Sequence, residues 1–134
     1  MERLPFISAP MAWSVNFFAM ALMLFGTAET IAIGKNVLGP VMTLGVLTAA
    51  FAWLYYPHSV LLRRIALLAN AVLLVVQAIS MGVFSIATRT AAAEFQAAGF
   101  AFMALIIAVC AFNVVAILER PNNSFKPNLL RKSA

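Results

Sequence analysis

Side chains able to do chemistry are scarce in this chain, whose 134 residues include one cysteine, one histidine, four acidic residues and no aspartate. One histidine (His58) and one cysteine (Cys110) exclude the common His/Cys metal spacings, and a single cysteine excludes an intrachain disulfide. Glu2, Glu29, Glu94 and Glu119 stand singly, so no paired carboxylates are placed for general acid–base work. A phosphate-cradling glycine loop and a nucleophile elbow are missing as well. These absences predict no metal, no cofactor and no enzymatic activity. His58 follows Pro57 and reads as a solvated loop residue, and Cys110 reads as a small packing residue.

Charge is the next shortage. Charged residues make up 10% of the chain and hydrophobic residues 64%, against roughly a quarter and a half in soluble proteins. A water-soluble core cannot absorb that much apolar surface. The net charge of +5 does not point to nucleic acid, because the basic residues stand at the edges of apolar runs and in the tail, without interleaved aromatics. The expected partner is the lipid bilayer, with a second copy or another membrane protein as further possibilities, and no nucleic acid.

Four long apolar runs occupy the chain, over about residues 10–34, 39–56, 60–87 and 91–120. Each is long enough for a spanning helix, which needs roughly 17–25 apolar residues. Pro40 is tolerable in a first helical turn and Pro57 closes the second run; Ser59 and Thr90 are placed to cap the third and fourth, and Pro121 ends the last. Gaps this short predict antiparallel sequential neighbours. The expected fold is therefore all-α: an integral membrane antiparallel four-helix bundle over residues 1–120, followed by a flexible basic tail over 121–134.

Orientation follows from the basic residues. Arg3, Arg63, Arg64, Arg120, Lys126, Arg131 and Lys132 fall on one side of such a bundle, and Lys35 and Arg89 on the other. The positive-inside rule then puts both termini in the cytoplasm, with Trp13, Trp53, Tyr55 and Tyr56 in the interfacial aromatic belt of that side. A competing reading makes Met11 to Phe25 a signal-peptide core with Gly26 and Ala28 before a cut at Glu29. One arginine beside Glu2 and two prolines make a poor leader, so a retained first helix is expected.

The tail carries a resemblance. Asn122-Asn123-Ser124-Phe125-Lys126-Pro127-Asn128-Leu129-Leu130-Arg131 resembles the tails of many unrelated bacterial proteins encoded by integron gene cassettes, where the reading frame runs into the recombination site. Lys132-Ser133-Ala134 departs from their usual ending. The resemblance covers about a tenth of the chain and implies a bacterial origin, hence the bacterial inner membrane. It implies nothing about activity.

Within the spans, Glu29 breaks the exclusion of charge. It lies roughly 6 Å inside the outer end of helix 1, where a carboxylate is a candidate proton carrier or cation site with Arg89 or Lys35 as partner. The plainer reading is that helix 1 ends near Ala28 and Glu29 meets water. Asn16, Asn70 and Asn113 each fall roughly 9–10 Å below the same surface, and Gln77 follows Asn70 on one helix face. They predict an interhelical hydrogen-bonded layer or a polar cavity, the former being the commoner use of such residues.

Ala97, Ala101, Ala104, Ala108 and Ala111 draw a small-residue seam along helix 4, with shorter ones at Gly45, Ala49 and Ala52 and at Ala78, Gly82 and Ser85. Small side chains let helices approach closely. The reading favoured by this inventory is a small non-enzymatic membrane protein that works by assembly, interaction or bilayer modulation. The alternative is an oligomeric solute or drug/proton transporter using Glu29. Small multidrug resistance transporters share four helices and a glutamate in helix 1, but theirs lies near mid-membrane and none of their surrounding motif occurs here. A lipid-modifying enzyme built on His58 or Glu94 has the least support.

Overall fold

The computed structural model describes residues 7–32, 34 and 37–119, apart from the side chains of Ala9, Glu29 and Thr30. Four helices run α1 Ala9–Ala32, α2 Leu38–Tyr55, α3 Val60–Ala87 and α4 Ala93–Leu118, with no strand among the described residues. All four are long and apolar enough to cross a membrane, the pattern of a multi-pass membrane protein. The proposed tail, including Asn122, Lys126 and Arg131, lies outside the described residues.

The helix ends follow local chemistry. Ser8 accepts a hydrogen bond from the Met11 backbone N–H (3.3 Å) and so covers one of the unpaired donors at the start of α1. Helix 1 stops at Ala32, two residues short of the expected Gly34. Gly34 takes a left-handed φ of 67° and donates its N–H to the Ile31 carbonyl (3.0 Å), a closure for which glycine has no Cβ penalty. Ser59 caps α3 as expected, accepting from Leu62 N at 3.2 Å.

Thr90 does not cap α4. The helix begins at Ala93, and its N-cap position is Ala92, whose methyl cannot accept a hydrogen bond. Gln96 instead donates to the Thr88 and Ala91 carbonyls, so a side chain reaching back from the second turn holds the α3–α4 turn. Glu94, in the first turn of α4, complements the positive end of the helix dipole.

Each helix packs chiefly on the next one in sequence, while α1 and α4 meet over a shorter length. Large apolar side chains such as Phe17, Phe18, Phe25, Leu68, Ile79, Val83 and Ile86 are exposed, an inside-out pattern that costs heavily in water and nothing against lipid tails. Burial concentrates in three clusters. Ala19, Met23, Leu47, Leu73, Ile106, Val109 and Cys110 form the central one. Ile7, Ala12 and Ala116 form a second, and Trp53, Ala66 and Ile117 a third.

Helix 3 is the most open, with only 11% of its span buried. Its buried residues are Ala66, Asn70 and Leu73, all in its first half. The rest of α3 is held to α4 by aromatic packing. Phe84 stands between Phe95 and Phe100, with ring centroids 5.9 and 5.4 Å away. A Cβ on Gly99 would lie 2.7 Å from Phe84 Cε1 and closer still to Cζ, so a methyl here has to displace the Phe84 ring, and the glycine serves close approach rather than backbone freedom.

Candidate functional site

The order of residues along the helices places a polar layer between the apolar clusters. On α1, Asn16 stands between Ala12 and Ala19; on α3, Asn70 between Ala66 and Leu73; on α4, Asn113 between Cys110 and Ala116. Helix 2 has no amide between Leu47 and Trp53 and buries Ala50 there. Helical spacing of three and four residues keeps each asparagine on the buried face of its own helix. The three amides are 0%, 0% and 2% exposed.

They meet. Asn16 Nδ2 donates to Asn113 Oδ1 at 2.7 Å, and Asn113 Nδ2 donates back to Asn16 Oδ1 at 2.9 Å. Asn113 Nδ2 also donates to Asn70 Oδ1 at 3.0 Å. The remaining bonds are local, from Asn16 Nδ2 to Ala12 O (2.9 Å) and from Asn70 Nδ2 to Ala66 O (2.8 Å). Five of the six amide N–H groups thus have acceptors, and every amide oxygen has a donor. In an environment that cannot solvate them, such groups hold only where they satisfy one another.

Asn113 is the hub of this cluster, bonded to both other asparagines. A neutral amide cannot ionise within the biological pH range, and a donor set already paired internally has little capacity left for a ligand. Chemically the cluster is therefore a lock between helices. The buried threonine hydroxyls also bond locally, Thr27 to Met23 O at 2.7 Å and Thr43 to Gly39 O at 3.0 Å.

The other sequence candidates do not join this layer. Gln77 is half-buried and makes no hydrogen bond to the asparagines, because burial of α3 ceases after Leu73. Glu29 stands in the last turn of α1, which continues to Ala32, so the helix does not end near Ala28; its side chain lies outside the described ones. Between α1 and α4 an open cleft lined by Ala19, Met23, Phe102 and Ile106 presents no polar surface.

The alanine seam faces outward. Ala97, Ala101, Ala104 and Ala108 are exposed and Ala111 is half-buried, while α4 buries Ile106, Val109, Cys110, Asn113, Ala116 and Ile117. At 100° per residue the two sets occupy opposite faces of the helix. Gly45, Ala78, Gly82 and Ser85 are exposed too, with Ala49 and Ala52 half-buried. The close approach inside the chain is made at Gly99, which belongs to no seam.

Sequence reasoning missed two polar contacts at the end of the bundle where α2, α3 and α4 share a cluster. Arg63 Nη2 donates to the Ile117 carbonyl at 3.2 Å, and Glu119 Oε2 accepts the Ile7 backbone N–H at 3.1 Å. The first meets a carbonyl left over at the end of α4, where a cation also complements the dipole. Among the described residues no three histidine, cysteine or acidic side chains gather as a metal site. Compared with known protein families, characterised proteins and solved structures, the chain matches none of them.

Proposed function

We propose that this is a small non-enzymatic protein of the bacterial inner membrane, an antiparallel four-helix bundle with both termini cytoplasmic, that works by assembling with other membrane helices. The observation that carries this reading is the closed asparagine cluster. The polar groups at the centre of the bundle are spent on holding α1, α3 and α4 together, so the surfaces left for function face outward. The outward seam of α4 offers backbone-close packing to a second copy or another membrane protein. The basic asymmetry supports the orientation, and the cassette-like tail supports the bacterial source.

The test is association in lipid. In nanodiscs or mild detergent, the wild-type chain should crosslink as an oligomer at concentrations where Ala104→Phe and Ala108→Phe remain monomeric, because bulky rings block close approach. A monomeric wild-type chain with no membrane partner recovered by crosslinking in cells would overturn the proposal.

A transporter using Glu29 is the second reading. Helix 1 continues through Glu29 to Ala32, which attaches the carboxylate to a helical span, where such groups commonly serve ion or proton movement. In reconstituted vesicles this reading expects solute-coupled proton flux that disappears in Glu29→Gln. Flux unchanged in that variant would eliminate it.

A further inference from the structure

The four spans are not of equal length. The apolar stretch of α1, Pro10–Ala28, has 19 residues and α2 has 18, which makes them about 28 and 27 Å long at the helical rise. On the other pair the charge-free stretches run from Ile65 to Ala87 on α3 and from Phe95 to Leu118 on α4, about 34 and 36 Å. One pair falls short of the roughly 30 Å of bilayer hydrocarbon and the other exceeds it.

Packing places the difference at one end. Leu47 shares a cluster with Leu73, and Trp53 one with Ala66, so Tyr55 is level with Ile65 and the same register carries Leu38 to the level of Gly82. Asn16 bonds Asn113, which carries Ala28 to the level of Ala101, next to Phe100, whose ring packs on Phe84. The apolar parts of α1 and α2 therefore end together, while α3 continues to Ala87, about 7 Å further. Val83, Ile86 and Phe95 are exposed on this overhang, where contact with water is unfavourable. Val83 and Ile86 continue the face of α3 on which Leu68, Val72, Val75 and Ile79 are exposed at spacings of three and four. The overhang is thus continuous with the lipid-facing surface of the helix.

We propose that the chain builds a step in the bilayer: hydrocarbon tails stand about 7 Å higher against the α3–α4 end than against the α1–α2 end, and the partner of the overhang is lipid. A bilayer thickens beside a long apolar span and thins beside a short one, at a modest cost per ångström that sorts proteins among membranes of different thickness. The step gives this chain a handle on that thickness. It rests on the helices crossing a membrane and not on the α4 seam, so it stands or falls apart from assembly.

The experiment places a nitroxide on the full chain in dioleoylphosphatidylcholine vesicles, through Leu38→Cys, Ile86→Cys, Tyr55→Cys and Ile65→Cys one at a time. All four positions are exposed, and Cys110 is fully buried and stays unlabelled. Depth is read as the ratio of collisions with oxygen, which enters hydrocarbon, to collisions with an aqueous nickel chelate, on protein whose helix content matches wild type. Ile86 lies about 6 Å farther along the bundle axis than Leu38, yet its ratio should equal or exceed that of Leu38, and Ile65 should match Tyr55. A ratio at Ile86 several-fold below that at Leu38 would mean a flat boundary and overturn the proposal. Tilting of the whole bundle, seen as a ratio at Ile65 several-fold below that at Tyr55, would overturn it too. So would exclusion of both reagents from Ile86, the mark of a second copy covering the overhang.

Discussion

Asn16 and Asn113, 97 residues apart in sequence, exchange a reciprocal pair of amide hydrogen bonds, at 2.7 and 2.9 Å. The pair joins α1 to α4, which share less contact than sequential helices do, and Asn70 extends it to α3. Interhelical hydrogen bonds in membranes contribute about 0.6–2 kcal/mol each. Asn113→Ala should therefore cost about 2 kcal/mol, since it strands both partners, and Asn70→Ala about 1 kcal/mol. Asn16→Ala and Asn113→Ala together should cost less than the two separately. Reversible unfolding in mixed micelles measures all of these, and equal costs for Asn70→Ala and Asn113→Ala would contradict the hub role.

Gly99 and Phe84 give a prediction whose sign depends on background. In a helix interior, glycine to alanine ordinarily gains about 1 kcal/mol, but here the new methyl meets the Phe84 ring. Gly99→Ala should destabilise the wild type by about 1 kcal/mol and stabilise a Phe84→Ala chain. A gain in both backgrounds would mean that the ring moves aside freely.

Ser59 covers an unpaired donor at the start of α3. Ser59→Ala should cost about 1 kcal/mol and Ser59→Asp much less, because an aspartate at this position also accepts the hydrogen bond. Thr90→Ala should have little effect on stability, since Gln96 rather than Thr90 holds the following turn. Thermal unfolding of the three variants separates these roles.

Topology is testable from the ends of the chain. With both termini cytoplasmic, a fluorescent protein fused at either end should mature, and a secreted-type phosphatase at either end should stay inactive. Moving basic residues changes the balance directly: Arg63→Gln with Arg64→Gln and two lysines added beside Lys35 should send part of the population into the opposite orientation.

Much of the fold was legible because hydrocarbon imposes a simple rule on sequence. Charge exclusion located four helices to within about two residues at most ends, and the depths of Asn16, Asn70 and Asn113 anticipated one polar layer. What depth does not encode is azimuth. Gln77 shares a face with Asn70 but lies beyond Leu73, where full burial on α3 ends, and the alanine seam satisfied every spacing rule while pointing away from the bundle. In lipid, an outward face is as apolar as an inward one, so hydropathy carries no sign of direction. Arg63 on Ile117 O and Gln96 on the α3–α4 turn escaped notice because side-chain to backbone bonds across elements have no fixed spacing.

The reciprocal amide pair also has a consequence for how the protein is made. At about 5–20 residues per second, the 97 residues between Asn16 and Asn113 separate the emergence of the two amides by about 5–20 s. Through that interval α1 presents a polar group without its mate, so the newly made first helix has reason to linger beside the insertion machinery or a helper helix. Delivery of α4 would supply the mate, and the fourth helix synthesised becomes the latch on the first.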